Sequence, residues 1–469
     1  MSLRFFNTYS REVEEFRPLD SAGGTVKMYT CGPTVYSHAH IGNFRAYLFE
    51  DLLQRHLELR GYSVQRVMNI TDVDDKTIRG CQAAGVPLAE FTREFKEAFF
   101  ADLDSLRIKR ADTFPEATDE RQIAAMIEMI KILIARGLAY QAEDKSVYFR
   151  IRNFPEYGHL AHFKLDDLQS TGRVKNDEYD KEHAGDFALW KAWDEADGAV
   201  RWESPWGPGR PGWHIECSAM ATQILGEQLD IHCGGVDNIF PHHEAEIAQT
   251  EGCTGKQFVR YWLHCEHLQV EGQKMSKSLG NFYTLRDVLA KGYSGREVRY
   301  ALLRVHYRAQ LNFTWDGMEE ARQSLVRIDG WLERLRTQAE EIQEGTSDTE
   351  NRTEEFEEAL DDDLNISAAL GFLFDKIRET NRALDQEILT PAAARSWLDW
   401  WKRINRILAL TADEAEQTGE VAQLTEERVQ ARLAKDWRKS DELRDALAAL
   451  GWEARDTKDG QKVTRRGAL

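Results

Sequence analysis

The loop at residues 31–43 carries groups that could hold a phosphate. It reads Cys-Gly-Pro-Thr-Val-Tyr-Ser-His-Ala-His-Ile-Gly-Asn and leads into a helix-like segment. A helix that begins there presents unpaired backbone N–H groups and the positive end of its dipole to an anion. His40 and Asn43 add side-chain donors, and Gly42 lets a flat ring approach the backbone. A histidine that only caps the helix would fit the same pattern, and both roles stay open.

A second distinctive segment, residues 274–281, has two lysines three positions apart. Lys274 and Lys277 flank Met275 and Ser276, and Ser278 follows. The ammonium group of lysine is a compact point charge, so such a loop could fold over a polyphosphate and stabilise charge that develops in a transition state. A basic surface loop without a ligand has the same composition, and this segment alone does not decide between the two.

The neighbouring segments predict the elements that hold the first loop. Residues 26–31 alternate apolar and polar side chains and stop at Gly-Pro, which is typical of a strand. Residues 45–59 place leucines at helical spacing, and residues 64–70 form a second strand-like run. A strand, helix and strand in this order predict a parallel sheet with helices on both faces.

The rest of the chain is predicted to be mainly helical. After Leu285 the apolar spacing is almost wholly helical, and Trp397, Trp400 and Trp401 are predicted to pack between helices. Residues 338–363 contain 12 acidic residues and one basic residue, and residues 344–348 within them predict a linker. The sequence therefore predicts a helical bundle after an α/β domain.

The composition is that of an acidic globular protein. The chain has 469 residues, a formal charge of −19, 42% hydrophobic and 10% aromatic residues, so disorder is excluded as its main state. The acidity argues against indiscriminate nucleic-acid binding but permits a local basic groove. The N-terminus lacks the apolar core of a signal peptide, and charged residues interrupt the most apolar helical stretch, residues 123–140. We expect a cytoplasmic protein that crosses no membrane.

The six cysteines predict no disulfide framework, because none forms a CxxC pair. Three of them, Cys81, Cys253 and Cys265, are expected to be buried as small apolar side chains.

Together the two loops resemble the signature motifs of class I aminoacyl-tRNA synthetases. The motifs are His40-Ile41-Gly42-Asn43 and Lys274-Met275-Ser276-Lys277-Ser278. Further segments narrow the resemblance to the cysteinyl-tRNA synthetases, and they are residues 29–36, 69–76, 212–220 and 240–246. Residues 440–444 and 456–460 resemble the C-terminal region of that family, so the resemblance runs the whole length of the chain.

The resemblance implies one zinc ion per chain, bound by Cys31, Cys217, His242 and Glu246. The sequence supports part of this set, since His242 and Glu246 are four residues apart and would share one face of a helix. Two thiolates, an imidazole and a carboxylate suit a tetrahedral zinc site. Because zinc prefers a soft thiolate, the pocket would select cysteine over serine.

Trp213 and His232 match substrate-pocket positions of the family, and Thr71, expected at the rim of the first half of the sheet, is a third candidate for the pocket. They are expected to lie around the amino acid, although Thr71 could equally cap a loop and Trp213 could be an ordinary core aromatic. His243 is expected to lie beside the zinc ligands or on the helix surface.

The resemblance also implies the reaction. The carboxylate of L-cysteine attacks the α-phosphate of ATP, which carries Mg²⁺, and the cysteinyl group then passes from the adenylate to the terminal ribose of tRNA(Cys). His40 and Asn43 would hold phosphate while Lys274 and Lys277 neutralise the leaving pyrophosphate. The residues expected to bind ATP are His40, Ile41, Gly42, Asn43, Lys274, Met275, Ser276, Lys277 and Ser278.

The implied architecture is a Rossmann-type α/β catalytic domain with a parallel sheet and an inserted connective domain, followed by a helical bundle and a small C-terminal anticodon-binding domain. The expected boundaries are 1–119 and 205–268 for the two halves of the catalytic domain, 120–204 for the insertion, 269–337 for the KMSKS loop and stem-contact region, 338–415 for the bundle and 416–469 for the anticodon-binding domain. We expect a monomer.

Three positions depart from the family pattern. Asn43 stands where a second histidine is common, and Cys233 and Ala245 replace Gly and Asn. Two alternatives remain. A related ligase that joins cysteine to an aminosugar conjugate lacks the complete C-terminal end, which is present here. An inactive paralogue that binds tRNA or cysteine is disfavoured, because both motifs and all four ligand-type residues are retained.

Overall fold

The structure is a computed structural model that describes residues 2–20, 24–163, 185–276, 279–340, 354–411, 419–449, 452–457 and 460–465. Its strands are β1 Arg4–Asn7, β2 Glu12–Glu15, β3 Thr25–Thr30, β4 Ser63–Met68, β5 Ala139–Gln141, β6 Val147–Phe149, β7 Phe187–Ala192, β8 Gly209–Pro211, β9 Leu229–Gly235, β10 Val259–Cys265, β11 Leu268–Val270, β12 Gln273–Lys274, β13 Leu311–Phe313, β14 Trp452–Thr457 and β15 Gly460–Arg465.

The α-helices in the same ranges are α1 Ile41–Leu59, α2 Asp75–Ala84, α3 Leu88–Ser105, α4 Glu120–Ala135, α5 Trp213–Leu225, α6 Glu244–Thr254, α7 Leu285–Ala290, α8 Gly295–Leu303, α9 Trp315–Glu340, α10 Glu354–Asp361, α11 Ile366–Asp385, α12 Pro391–Leu408, α13 Gly419–Leu433 and α14 Trp437–Ala449. In the described part of the chain, no helix combines the length and apolar character that a membrane crossing requires.

The central sheet has the strand order β10–β9–β3–β4, and all its neighbouring strands are parallel. The predicted strand–helix–strand unit is confirmed as β3, α1 and β4. In a parallel sheet the carboxyl ends of the strands meet at one edge, and loops from that edge build ligand sites. Here the edge carries the loop after β3, the loop after β4 and the turn after β9.

The insertion between the halves of this sheet contains a four-stranded antiparallel sheet in the order β5–β6–β7–β8. Its last strand, β8, ends at Pro211 and leads directly into α5. The inserted sheet therefore continues beyond the boundary expected at residue 204, and the expected boundary at residue 337 lies within α9.

The predicted bundle is present in the C-terminal half. Trp331 of α9 packs edge-on against Trp400 and Trp401 of α12, at centroid distances of 6.3 and 6.1 Å. The predicted linker at residues 344–348 lies outside the described residues.

The prediction of an almost wholly helical region after Leu285 misses three strands. One is β13, which pairs with β11. The others form the antiparallel hairpin β14–β15. The sequence held a signal for this hairpin, because Asp459-Gly460, a pair typical of hairpin turns, follows the alternating run at residues 452–457.

Candidate active site

The first motif forms the N-terminus of α1. His40 is the N-cap residue, and its Nδ1 accepts a hydrogen bond from the backbone N–H of Asn43 at 3.1 Å. In return, Oδ1 of Asn43 accepts from the backbone N–H of His40 at 3.1 Å. This reciprocal cap explains why the helix begins four residues before the predicted start at Arg45. The capping role left open by the sequence is therefore present.

The segment after the second motif packs against the first. The backbone N–H of Ile41 donates to the carbonyl of Tyr283 at 3.0 Å, and the rings of His40 and Phe282 meet edge-on at 5.1 Å. A Cβ atom at Gly42 would lie 3.2 Å from Cε of Met275, so glycine allows this close approach. The two motifs therefore meet at the same edge of the sheet.

The loop of the second motif is pinned by Asn281. Its Oδ1 accepts from the N–H of Ser276 at 2.8 Å, and its Nδ2 donates to the carbonyl of Lys274 at 3.2 Å. Lys274 is exposed. The predicted residues Lys277 and Ser278 lie outside the described residues.

A cavity of about 450 Å³ connects both motifs with the end of β3. Its lining includes His40, Gly42 and Asn43 from the first motif, Lys274 and Met275 from the second, and Cys31. A ligand that occupies this cavity would therefore contact both motifs and Cys31, one of the four residues expected to bind zinc.

The four residues expected to bind zinc converge at the inner end of this edge. One donor atom from each of Cys31, Cys217, His242 and Glu246 lies within 4.8 Å of all the others. The cluster contains the contact between Nε2 of His242 and Oε1 of Glu246 at 3.1 Å. Cys31 follows β3, Cys217 lies on α5, Glu246 lies on α6, and His242 lies in the turn before α6.

Burial shapes the protonation of these donors. A hydrogen bond with Cys217 and burial raise the pKa of the Cys31 thiol well above its ordinary value. Burial raises the pKa of Glu246 and lowers the pKa of His242 well below its ordinary value. A dication reverses this preference, because it stabilises thiolates and carboxylates. Two thiols, an imidazole and a carboxylate that converge in the interior fit zinc.

Two further histidines contact the ligand atoms from outside. Nε2 of His232 lies 2.9 Å from Oε2 of Glu246, and Nε2 of His243 lies 3.3 Å from Sγ of Cys31. A second set of donors within 4.8 Å, formed by Cys31, His232, His243 and Glu246, shares two residues with the first set. Groups in such positions orient metal ligands and tune their basicity. His232 is thus buried against Glu246, and its predicted place around the amino acid stays a prediction.

Behind His243 lies a contact chain that the sequence did not reveal. Nδ1 of His243 is 2.8 Å from Nε2 of His264, and Nδ1 of His264 is 2.7 Å from Oγ1 of Thr8. Because Thr8 and His264 are far apart in sequence, no local pattern could have paired them.

The other two predicted pocket residues have different surroundings. Thr71 is buried, and its hydroxyl donates to Oε2 of Glu216 at 2.7 Å while it accepts from Nδ2 of Asn69 at 3.1 Å. Trp213 is 45% exposed, and its ring stacks on that of His242 at a centroid distance of 4.4 Å. Glu216 was missed as a site residue, and burial raises its pKa well above the ordinary value.

The parallel sheet, the helix N-terminus at the first motif and the lysine loop together define a class I aminoacyl-tRNA synthetase. Residues 17–323 match the family model of the class I (C) tRNA synthetase catalytic domain. Residues 355–410 match the DALR domain model and lie within the region expected to be a helical bundle.

Curated relatives specify the branch of this class. A cysteine–tRNA ligase of Protochlamydia amoebophila (strain UWE25) is 49% identical over 472 residues, which cover 99% of this chain and 98% of the relative. A cysteine–tRNA ligase of Chlamydia caviae is 52% identical, with the same coverage of both chains. The chain belongs to the cysteine–tRNA ligase family.

Solved structures agree on the fold. A Mycobacterium tuberculosis methionyl-tRNA synthetase in complex with methionyl-adenylate has a TM-score of 0.64 and 16% identity, covering 86% of this chain and 94% of that one. An Agrobacterium radiobacter leucyl-tRNA synthetase, in a ternary complex, has a TM-score of 0.60 and 13% identity over 84% of this chain and 85% of that one.

Proposed function

We propose that this chain is a cysteine–tRNA ligase, which joins L-cysteine to the 3′-terminal ribose of tRNA(Cys) by way of cysteinyl-adenylate and selects its substrate with a zinc ion. One observation carries the proposal. The four donor atoms of Cys31, Cys217, His242 and Glu246 lie together, and Cys31 also lines the cavity shared by both signature motifs. The names of the full-length relatives support the same activity.

In the first step His40 and the N-terminus of α1 bind phosphate. Since Nδ1 of His40 accepts from a backbone N–H, a neutral imidazole carries its proton on Nε2 and can donate it to a phosphate oxygen. Asn43 supports this arrangement through its Oδ1, and its Nδ2 is the group that could donate to ATP. Lys274 and Lys277 neutralise the pyrophosphate as it leaves, together with the Mg²⁺ that accompanies ATP. Ile41, Gly42, Met275, Ser276 and Ser278 are the other residues that we propose for ATP binding.

Cys31, Cys217, His242 and Glu246 would hold zinc, which prefers a thiolate to a hydroxyl and thereby supplies discrimination between cysteine and serine. The shapes of these two amino acids are too similar for a pocket to separate them well. Trp213 and Thr71 would enclose the amino acid, while His232 and His243 fix the ligands.

The remainder of the chain would bind tRNA. We propose the domain order given above, with the insertion near the acceptor end extending to Pro211 and a C-terminal domain that stacks on anticodon bases. Trp437, which is 57% exposed, and the basic residues Arg438, Lys439 and Arg444 are the contacts we propose. The enzyme would act as a monomer in the cytoplasm.

The test is cysteine-dependent ATP–pyrophosphate exchange, with serine as a parallel substrate and zinc quantified in the same sample. Exchange with cysteine alone, at about one zinc per chain, would support both the activity and the mode of selection. Absence of exchange despite bound zinc would indicate an inactive paralogue instead. Exchange without zinc would support the ligase activity and contradict the proposal that zinc selects cysteine.

A further inference from the structure

Two separate bridges join the same pair of segments beside the amino-acid pocket. One segment runs from the end of β4 into α2, and the other from β8 into α5. The first bridge is the hydrogen bond from the hydroxyl of Thr71 to Glu216. The second is formed by Asp75, the first residue of α2, four residues after Thr71.

The carboxylate of Asp75 binds two cations of the inserted sheet. Oδ2 accepts from Nζ of Lys191 at 3.1 Å, and Oδ1 accepts from Nη2 of Arg210. The two cations are direct neighbours across β7 and β8, and their side chains are only 10% and 5% exposed. Nε of Arg210 also donates to Asp197 at 2.9 Å, so this guanidinium is held from two sides.

A displacement of Arg210 would be transmitted to the pocket, because only two residues separate it from Trp213. Gly212 between them is the N-cap of α5, and its N–H donates to the carbonyl of Leu189 on β7 at 2.9 Å. A Cβ atom at Gly212 would lie 2.0 Å from the carbonyl oxygen of Ala188. The start of α5 therefore packs directly against the inserted sheet.

We propose that Asp75 is a positioning residue for amino-acid recognition: by holding Lys191 and Arg210, it locks the inserted sheet onto α2 and sets the spacing between Thr71 and Trp213. This inference rests on the proposed function, since it assumes that cysteine binds between these residues. Asp75 touches no substrate in this scheme and acts only through the two cations.

Asp75→Asn tests this role, because the amide keeps the shape of the side chain but not its charge. We expect the KM for cysteine in ATP–pyrophosphate exchange to rise about tenfold, since small misplacements of substrate-holding groups have large effects. The KM for ATP should stay within about twofold, because the nucleotide cavity is built from other segments. Asp75→Glu, which retains the charge, should recover most of the loss.

The matched control is Asp74→Ala. Asp74 is the N-cap of α2, and its carboxylate accepts from the N–H groups of Lys76 and Thr77. Its replacement therefore weakens the same helix without breaking the ion pairs of Asp75. It should lower thermal stability and leave the KM for cysteine unchanged. Hydrogen–deuterium exchange gives a second readout that needs no activity: exchange at residues 210–217 should increase in Asp75→Asn and not in Asp74→Ala.

An unchanged KM for cysteine in Asp75→Asn, or a parallel rise of the KM values for cysteine and ATP, would overturn the proposal. Unchanged hydrogen exchange at residues 210–217 would overturn it as well, whether or not the wild-type chain is active. Failure of the proposed function has a different signature, because the wild-type protein would then show no cysteine-dependent exchange.

Discussion

The backbone N–H of Asn43 donates to Nδ1 of His40 over 3.1 Å. This contact fixes both the start of α1 and the tautomer of the histidine, since the nitrogen that accepts cannot carry the proton. The side chain of His40 thus caps α1 through Nδ1 and leaves the proton of a neutral imidazole on Nε2, the nitrogen that we propose binds phosphate. Asn43, which departs from the family pattern, completes the cap because its Oδ1 accepts a hydrogen bond from the backbone N–H of His40.

The two tasks of His40 can be separated by substitution. In His40→Asn the amide oxygen can still cap α1, so thermal unfolding should change little, but the Nε2–H donor is lost. We expect the rate of ATP–pyrophosphate exchange to fall about 10²–10³-fold, the usual effect of removing one preorganised donor. His40→Ala should lose a similar rate and, in addition, about 1 kcal/mol of stability. Equal stability of the two variants would contradict the capping role.

Glu50 should make the protein less stable as the pH rises. It is fully buried on α1, and burial raises its pKa to about 8 despite Arg66, whose Nη2 lies 3.7 Å from Oε2. In the unfolded chain its carboxyl ionises near pH 4.5, so between these values the folded protein binds more protons and stability falls with increasing pH.

Glu50→Gln should remove this dependence. At pH 8.5 we expect it to be a few kcal/mol more stable than the wild type, since one pKa unit corresponds to about 1.4 kcal/mol, whereas at pH 4.5 the two should be similar. Urea unfolding at both pH values measures the difference. Glu58→Gln, a partly exposed position on the same helix, is the control and should not be more stable than the wild type at pH 8.5. A gain that is equal at both pH values would exclude the buried carboxyl as its cause.

The sequence predicted what depends on local spacing. The β3–α1–β4 unit follows from short apolar periods, and the spacing of His242 and Glu246 placed two of the four donors on one turn. The prediction that Cys31 and Cys217 share one metal site came from the family resemblance, because the two residues lie on different elements and no periodicity links them.

What the sequence did not reveal depends on tertiary packing. His264 reaches Thr8 across strands from opposite ends of the catalytic region, and Glu216 meets Thr71 only after α5 has docked. The start of α1 was placed too late because the apolar period begins after the cap, and a histidine cap is a weak signal in sequence.

Arg299 should be essential for attachment of the helical region to α1. It is fully buried, with Nη2 bonded to Oδ2 of Asp51 on α1 at 2.6 Å and Nε donating to the carbonyl of Leu408 at 2.6 Å. Arg299→Met leaves Asp51 buried with one partner fewer, and we expect a loss of about 3–5 kcal/mol in urea unfolding. Arg378→Met, at an exposed ion pair with Asp375, should cost less than about 1 kcal/mol. Similar losses in both variants would show that burial of the pair is immaterial.

Cys217→Ser tests the assignment of the metal cluster against an ordinary buried thiol. The hydroxyl is nearly the same size as the thiol but a poor zinc ligand, so the variant should retain its fold, lose most of its zinc and activate cysteine poorly. Metal analysis, thermal unfolding and exchange with cysteine and serine measure the three effects. Cys253→Ser is the matched control, since this half-buried cysteine lies outside the cluster and its zinc content should equal that of the wild type. If Cys217→Ser kept its zinc and its preference for cysteine, Cys217 would not be a ligand, and the overlapping set of Cys31, His232, His243 and Glu246 would become the stronger candidate.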